Sequence, residues 1–417
     1  MTPISRRGFL PLAGAAALPG RELPPVRAIT RGPRYHWFGY YDKLQFSPSG
    51  RYVLANEVDF EHRSPTPGDV IRVGVADTGS DDRWRELGMS RAWNWQQGCM
   101  LQWIPGSKAS VLWNDRAGDR FVCHILDVGA SERRTIPAPV YALSPDGRWG
   151  VRPDFRRLND TRPGYGYGGI PDPRPNVPAP DDDGLWRVDL ATGKEELVFS
   201  FADAARIAFE RPAGIDLTGA TAGVDLARSK HWFNHLLVSP DGARLIFLHR
   251  WRGPGDRNYL TRMFTIRSDG TDPYILDPYG KTSHFIWRDP QTVLAWAWHP
   301  SHAWGFYLYT DKTNRVELVG GGAMTENGHC TYLPGNQWIL NDTYPDKAKR
   351  EQHVYLYHVA SGRRVPLGSF ASPPEYTGEW RCDTHPRFSP DGRKVTIDSP
   401  HRGGRQVYLI DIGAIVG

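Results

Sequence analysis

Four histidines stand at one offset from four turns. His235 lies three residues before Val238 of "VSPDGA", His284 three before Trp287 of "WRDPQT", His329 three before Tyr332 of "YLPGNQ", and His385 three before Phe388 of "FSPDGR". Imidazoles gathered by a repeat suit one divalent metal ion, Zn or Mn, because neutral imidazole is a borderline ligand for both. A hydrogen-bonded polar plug is the other use of such a ring. Two residues further back, on the same face of an alternating strand, stand Tyr41, Asn327 and Asp383. Two more back are Gln96, His231 and Arg381. A polar, aromatic mouth above a histidine ring is what an active-site funnel requires.

The elements that must position these residues repeat along the chain. Turns begin at Phe46, Trp103, Leu143, Val238, Trp287, Tyr332 and Phe388, each between an alternating stretch and an apolar one such as "YVLANEV" or "RLIFLHR". Their spacing is 40 to 57 residues, apart from one interval of 95. A four-stranded propeller blade takes roughly 40 to 50 residues. The fold class read here is therefore all-β, a seven-bladed β-propeller over residues 26–417. Its third blade carries a Pro/Gly-rich, partly helical insertion over about residues 155–230. The N-terminal segment "VRAIT" is expected to supply the last outer strand. Inner strands of a propeller line a central channel, so equivalent positions face one axis. In the first three blades those positions are Lys43, Met100 and Val140.

Composition agrees with short strands and tight turns: 50 aromatic residues (16 Trp, 18 Tyr, 16 Phe) stand beside 44 Gly and 35 Pro in 417 residues. The net charge of +5 is spread without a basic run, which argues against a nucleic-acid partner. No apolar stretch is long enough to span a bilayer. "SRRGFLPLAGAAALPG", with Arg6 and Arg7 ahead of a short apolar run, reads as a twin-arginine signal over residues 1–20. It predicts a periplasmic or secreted protein. Cys99, Cys123, Cys330 and Cys382 are compatible with disulfides or with buried thiols.

Together, the turns, the histidine ring and the segment "HPRFSPDGRKVTIDSPHRGGRQVYLIDI" resemble the propeller polysaccharide lyases, of the oligogalacturonate lyase and ulvan lyase types, over most of residues 35–413. The resemblance implies β-elimination at a uronic acid, a metal on histidines, and Tyr, His and Arg as working side chains. The oligogalacturonate lyases carry a Gln beside their metal histidines, and no residue here is matched to it. The chemistry itself asks for these types. A uronate C5 proton is weakly acidic, so a cation must neutralise the adjacent carboxylate, and one Tyr can serve as both base and acid. By analogy with the ulvan lyases, Tyr141 and Arg157 take the catalytic roles, with His231 and His36 as histidine partners. Arg162, Tyr165 and Tyr167, in "TRPGYGYGG", are expected in a sugar subsite with Gln96, Tyr41 and Arg381. Strict alternation points Val140 rather than Tyr141 at the axis unless the strand is bulged.

The expected partner is an anionic polysaccharide or oligosaccharide acted on by a monomer. Two other readings compete. A glycoside hydrolase on the same scaffold would need two flanking carboxylates, of which the mouth positions offer only Asp383. A non-enzymatic TolB-like propeller with a structural metal would need no polar residues above the ring.

Overall fold

A computed structural model describes residues 22–129, 132–210, 212–215 and 226–417. The twin-arginine segment falls outside them. The described chain forms seven four-stranded antiparallel sheets, the blades of a β-propeller. The inner strands are Tyr35–Trp37, Gln102–Trp103, Ala142–Leu143, Lys230–Val238, Thr282–Asp289, Thr331–Tyr332 and Arg387–Phe388. We number the blades 1 to 7 in that order. Val26–Ala28 pairs with Gln406–Asp411, so the outer strand of blade 7 comes from the other end of the chain and closes the ring.

The repeated turns have a common cause. In "SPDG" the Ser144 hydroxyl donates to Asp146 at 2.6 Å, and Asp146 accepts from the Arg148 amide at 3.1 Å. The chain then reverses through Gly147 at φ 65°, a left-handed conformation that costs glycine nothing. Ser239, Asp241 and Gly242 repeat the pattern, as do Ser389, Asp391 and Gly392. All these turns join inner to second strands, so they share one face of the disc. The longer connections lie on the opposite face, where the inner strands begin.

Between blades, apolar side chains alternate into dry seams: Leu54, Val73, Trp103 and Trp113 join blades 1 and 2, and Leu340, Leu356, Val395 and Ile410 join blades 6 and 7. Burial of such surface is the main favourable term holding blade to blade. The insertion read as 155–230 is two connections rather than one. Residues 153–183 link the second and third strands of blade 3, and 201–229 lead into blade 4. Gly184–Asp189 and Glu195–Ser200, which lie between them, are ordinary blade strands. Helices Phe155–Thr161 and Phe201–Arg206 start the two connections, capped by Asp154 and Ser200. Cys99, Cys123, Cys330 and Cys382 are all buried free thiols. Among the described residues no helix is long and apolar enough to cross a membrane.

Candidate functional site

The site is assembled where the inner strands begin. There the backbone departs from regular extension. His235 (φ 53°) and His385 (φ 40°) adopt left-handed conformations, as does Met100 (φ 57°) at the same repeat position of blade 2. In blade 4 the pairing register slips between Asn234 and Leu237, and in blade 5 between Thr282 and Phe285. Such bulges re-aim side chains and break the two-residue alternation.

The rings of His284 and His329 lie 4.1 Å apart, and those of His329 and His385 4.2 Å apart. His235 sits on the far side of the Tyr40–Tyr41 pair. Its Nε2 donates to Asp42 at 3.0 Å and its ring stacks on Phe285 at 4.0 Å. Tyr41 occupies the hub, with ring centroids 5.3 to 6.4 Å from all four imidazoles. Its hydroxyl donates to the Phe285 carbonyl at 2.8 Å. Blade 1 therefore contributes Tyr40 and Tyr41 to the centre. Their segment is held by Asp398, which accepts from the amides of Phe38 and Gly39 and from Arg387 at 2.7 Å.

Among the described residues, His329, Asp383 and His385 bring one ligand atom each within 4.8 Å of one another, all buried. The arrangement fits a divalent cation. His385 Nε2 is buried without a hydrogen-bond partner. His329 Nδ1 donates to Asp342 at 3.0 Å, which leaves its Nε2 lone pair for an ion. A carboxylate behind a ligating histidine is the usual support for such a ligand. Asp342 also accepts from the amides of His329 (2.7 Å) and His385 (3.1 Å) and from the Thr384 hydroxyl (2.6 Å). Gly328 permits this approach: a Cβ there would lie 1.9 Å from the Asp342 carbonyl. Burial holds His284 and His385 well below the ordinary histidine range and His235 at about 4, so these rings are neutral near pH 7. At His329 burial is outweighed by Asp342, and the shift is upward.

Beside the histidines opens a pocket of ≈ 360 Å³, lined by Arg162, Tyr165, Arg250, Lys281, His284 and Tyr344, among others. No Asp or Glu lines it among the described residues. Arg162 lies 4.3 Å over the Tyr165 ring and donates to the Tyr259 hydroxyl. Arg381 donates to the Tyr165 hydroxyl at 2.7 Å and to Asp383 at 2.8 Å, and so ties pocket to ligand group. Burial alone would raise the Tyr165 phenol, but Arg381 and Arg162 together bring it down to about 7. Arg250 donates to Asn234 at 2.9 Å and Thr261 at 3.2 Å. None of Arg162, Arg250 and Lys281 has a carboxylate in ion-pair contact among the described residues.

The other expected residues do not line this pocket, although Tyr141 packs in one buried cluster with Tyr40, Tyr41 and Tyr165. Tyr141 is 0% exposed; it accepts from Gln97 at 2.8 Å beneath Lys43, and burial pushes its phenol well above the usual range. Arg157 is also 0% exposed, and it does not reach the pocket. Its guanidinium donates to the carbonyls of His231, Arg174, Val177 and Pro178 and to Asp172, so it ties down the insertion and has no face toward a substrate. His231 lies on the other side of the blade 4 bulge. Arg262 donates to His249, His249 to His231 at 2.7 Å, and His231 to the Leu226 carbonyl at 2.7 Å; both ring nitrogens are occupied. His36 lies at the ring closure, between Gln406 (3.0 Å) and Glu57 (3.1 Å). Tyr167 is buried on Phe155 at 4.2 Å and bonded to Asn114. Gln96 donates to the carbonyls of Glu379 (2.9 Å) and Arg381 (3.2 Å) and so steadies the Arg381 loop. Arg162, Tyr165, Tyr41 and Arg381 do surround the histidines. Sequence reasoning missed Tyr40, Asp342, Arg250 and Lys281. Only Tyr40, beside Tyr41 in "GYYDK", carried a signal that could have been followed.

No family model matches the chain. A stretch of 104 residues is 30% identical to the Tol-Pal system protein TolB of Gluconobacter oxydans (strain 621H), covering 25% of this chain and 20% of the length of that relative. Among solved structures, an oligogalacturonate lyase in complex with manganese superposes with a TM-score of 0.66 at 15% identity, over 93% of both chains. The oligogalacturonate lyase of Vibrio parahaemolyticus gives 0.64 at 14% identity, again over 93% of each. A puromycin-hydrolysing peptidase of Mycobacterium tuberculosis gives 0.51 at 15% identity, over 89% of this chain and 52% of the other. The chain is thus a seven-bladed β-propeller that shares its fold with the oligogalacturonate lyases.

Proposed function

We propose that the protein is a polysaccharide lyase that cleaves a uronate-containing polysaccharide or oligosaccharide, pectin-like or ulvan-like, by β-elimination. The observation that carries this reading is Tyr165, whose phenol two guanidinium groups bring down to about 7, in a pocket with cationic and, among the described residues, no acidic lining. A base whose pKa matches the working pH transfers protons best. A pocket without carboxylates disfavours glycosidic hydrolysis, which needs a pair of them.

The uronate carboxylate is met by Arg162 and Arg250. The Tyr165 phenolate takes the C5 proton, and the C5–H electrons form the C4–C5 double bond as the C4–O bond breaks. The same hydroxyl, now protonated, returns the proton to the departing oxygen. No water is consumed, and Arg381 holds the phenol oxygen in place throughout. His329, His385 and Asp383 would hold a divalent ion, Mn or Zn, with His284 alongside. When bound, such an ion supplies positive charge beside the carboxylate as negative charge builds on it. The paired Arg6 and Arg7 support activity outside the cytoplasm.

The test is incubation with a panel of polyuronates while following the ultraviolet absorbance of the unsaturated uronyl end. New reducing ends with that chromophore support the lyase. Reducing ends without it would mean hydrolysis, and an absence of cleavage on every member would reject enzymatic action on uronates.

A further inference from the structure

The pocket has an end that elimination at Tyr165 does not use. Trp304 is the second residue of the strand Ala303–Thr310, just beyond the hairpin that follows Thr292–His299. It is 49% exposed, although it lines the same pocket as Tyr165 and His284. Its indole stacks on that of Trp296, with centroids 6.1 Å apart and planes at 16°. Trp296 is itself 6% exposed, so one indole serves as a fixed backing for the other. Lys281 lines the same pocket, and its carbonyl accepts at 3.1 Å from the amide of Trp298, the strand partner of Trp304, which fixes the backbone carrying the ammonium.

An exposed, buttressed indole in one pocket with a cation that has no carboxylate partner among the described residues is an uncommon arrangement for a surface with nothing to bind. Leaving a large aromatic face in water forgoes its burial. An ammonium without a carboxylate partner keeps its charge available for an anion. The faces of pyranose rings carry axial C–H groups that pack on aromatic rings, and uronates add one carboxylate per sugar. Both features are met at one place here.

We infer that Trp304 and Lys281 form a subsite for the sugar adjacent to the one cleaved, with the pyranose face on the indole and its carboxylate or sulfate on the ammonium. The substrate is then an anionic oligosaccharide or chain, and affinity rises with its length. The identity of the bond cleaved rests on the lyase reading; the carbohydrate contact does not.

The experiment uses full-length protein and a ladder of oligogalacturonates from the dimer upward, with a sulfated polyuronate as a second probe. For Trp304→Ala, kcat/KM should fall about tenfold on the longer members and much less on the shortest one cleaved, with Trp304→Phe in between. An equal fall at every length, or no fall, overturns the subsite. Should no polyuronate yield the unsaturated product, the lyase reading fails, and the subsite is judged by binding alone. Tryptophan fluorescence of the wild type should then change on titration with the ladder, and Trp304→Ala should need about tenfold more ligand. Binding that is absent, or unchanged in Trp304→Ala, overturns the subsite.

Discussion

Blades 1 to 3 and blades 4 to 7 share one backbone plan and differ in what they present to the axis. Met100 and His235 occupy the same repeat position with nearly the same left-handed φ, 57° and 53°. Met100 packs in a core with Tyr141 and Ala92, whereas His235 faces Asp42. The bulge is thus a property of the scaffold and the chemistry a property of the side chain placed on it. Blades 4 to 7 supply the histidines, and blades 1 and 3 bring Tyr41 and Tyr165 to them.

The comparison can be broken most forcefully at the two tyrosines. Tyr165→Phe should lower kcat by about a hundredfold or more, while Tyr141→Phe, outside the pocket lining, should turn over near the wild-type rate, as initial rates of alkene formation would report. The reverse pattern would return the proton shuttle to Tyr141. Metal content sharpens the same contrast. Purified protein should carry about one equivalent of Mn or Zn, and His385→Ala should lose it. Asp342→Asn should weaken binding by about 10- to 100-fold, while His235→Ala should retain it, as read by elemental analysis after dialysis.

A smaller effect concerns pH. In the proposed elimination Tyr165 works as the phenolate, and Arg381 and Arg162 bring its phenol down to about 7. Activity is therefore present above that value and should fall about tenfold per unit as pH drops below it. Arg381→Gln removes the leading cationic partner of the phenol, so the acid limb of the kcat/KM profile should move upward, toward the ordinary tyrosine range. The smallest effect is expected at Met100→Leu, a near volume-conserving change at the buried blade 2 position. It should cost below about 1.5 kcal/mol in denaturant unfolding and leave metal content untouched.

The blades were legible because three of their turns have a local cause, a Ser, an Asp and a left-handed Gly, and the other four keep the same spacing with degenerate copies. The histidine ring was legible because it keeps a fixed distance from those turns. Tyr141 and Arg157 rest on a resemblance, and His231 on alternation carried through a bulge; none of the three lines the pocket, because the blade 4 register slips and the insertion has no repeat to calibrate it. Asp342 lies at the end of a second strand, and Arg250 and Lys281 stand in positions the repeat does not mark. Their roles arise from neighbours distant in the chain, as when Asp342 binds the amide of His385 43 residues away.

The four cysteines have a consequence for how the molecule is made. Each is enclosed as a thiol in a finished core, and none cross-links the described fold. Nothing in the packing of the ring waits on an oxidant. The chain can reach its final form in a reducing cytosol, which is the order of events that the export proposed from Arg6 and Arg7 would require. Melting temperatures with and without reductant should coincide, and a host cytoplasm should serve as well as an oxidising compartment for producing the protein.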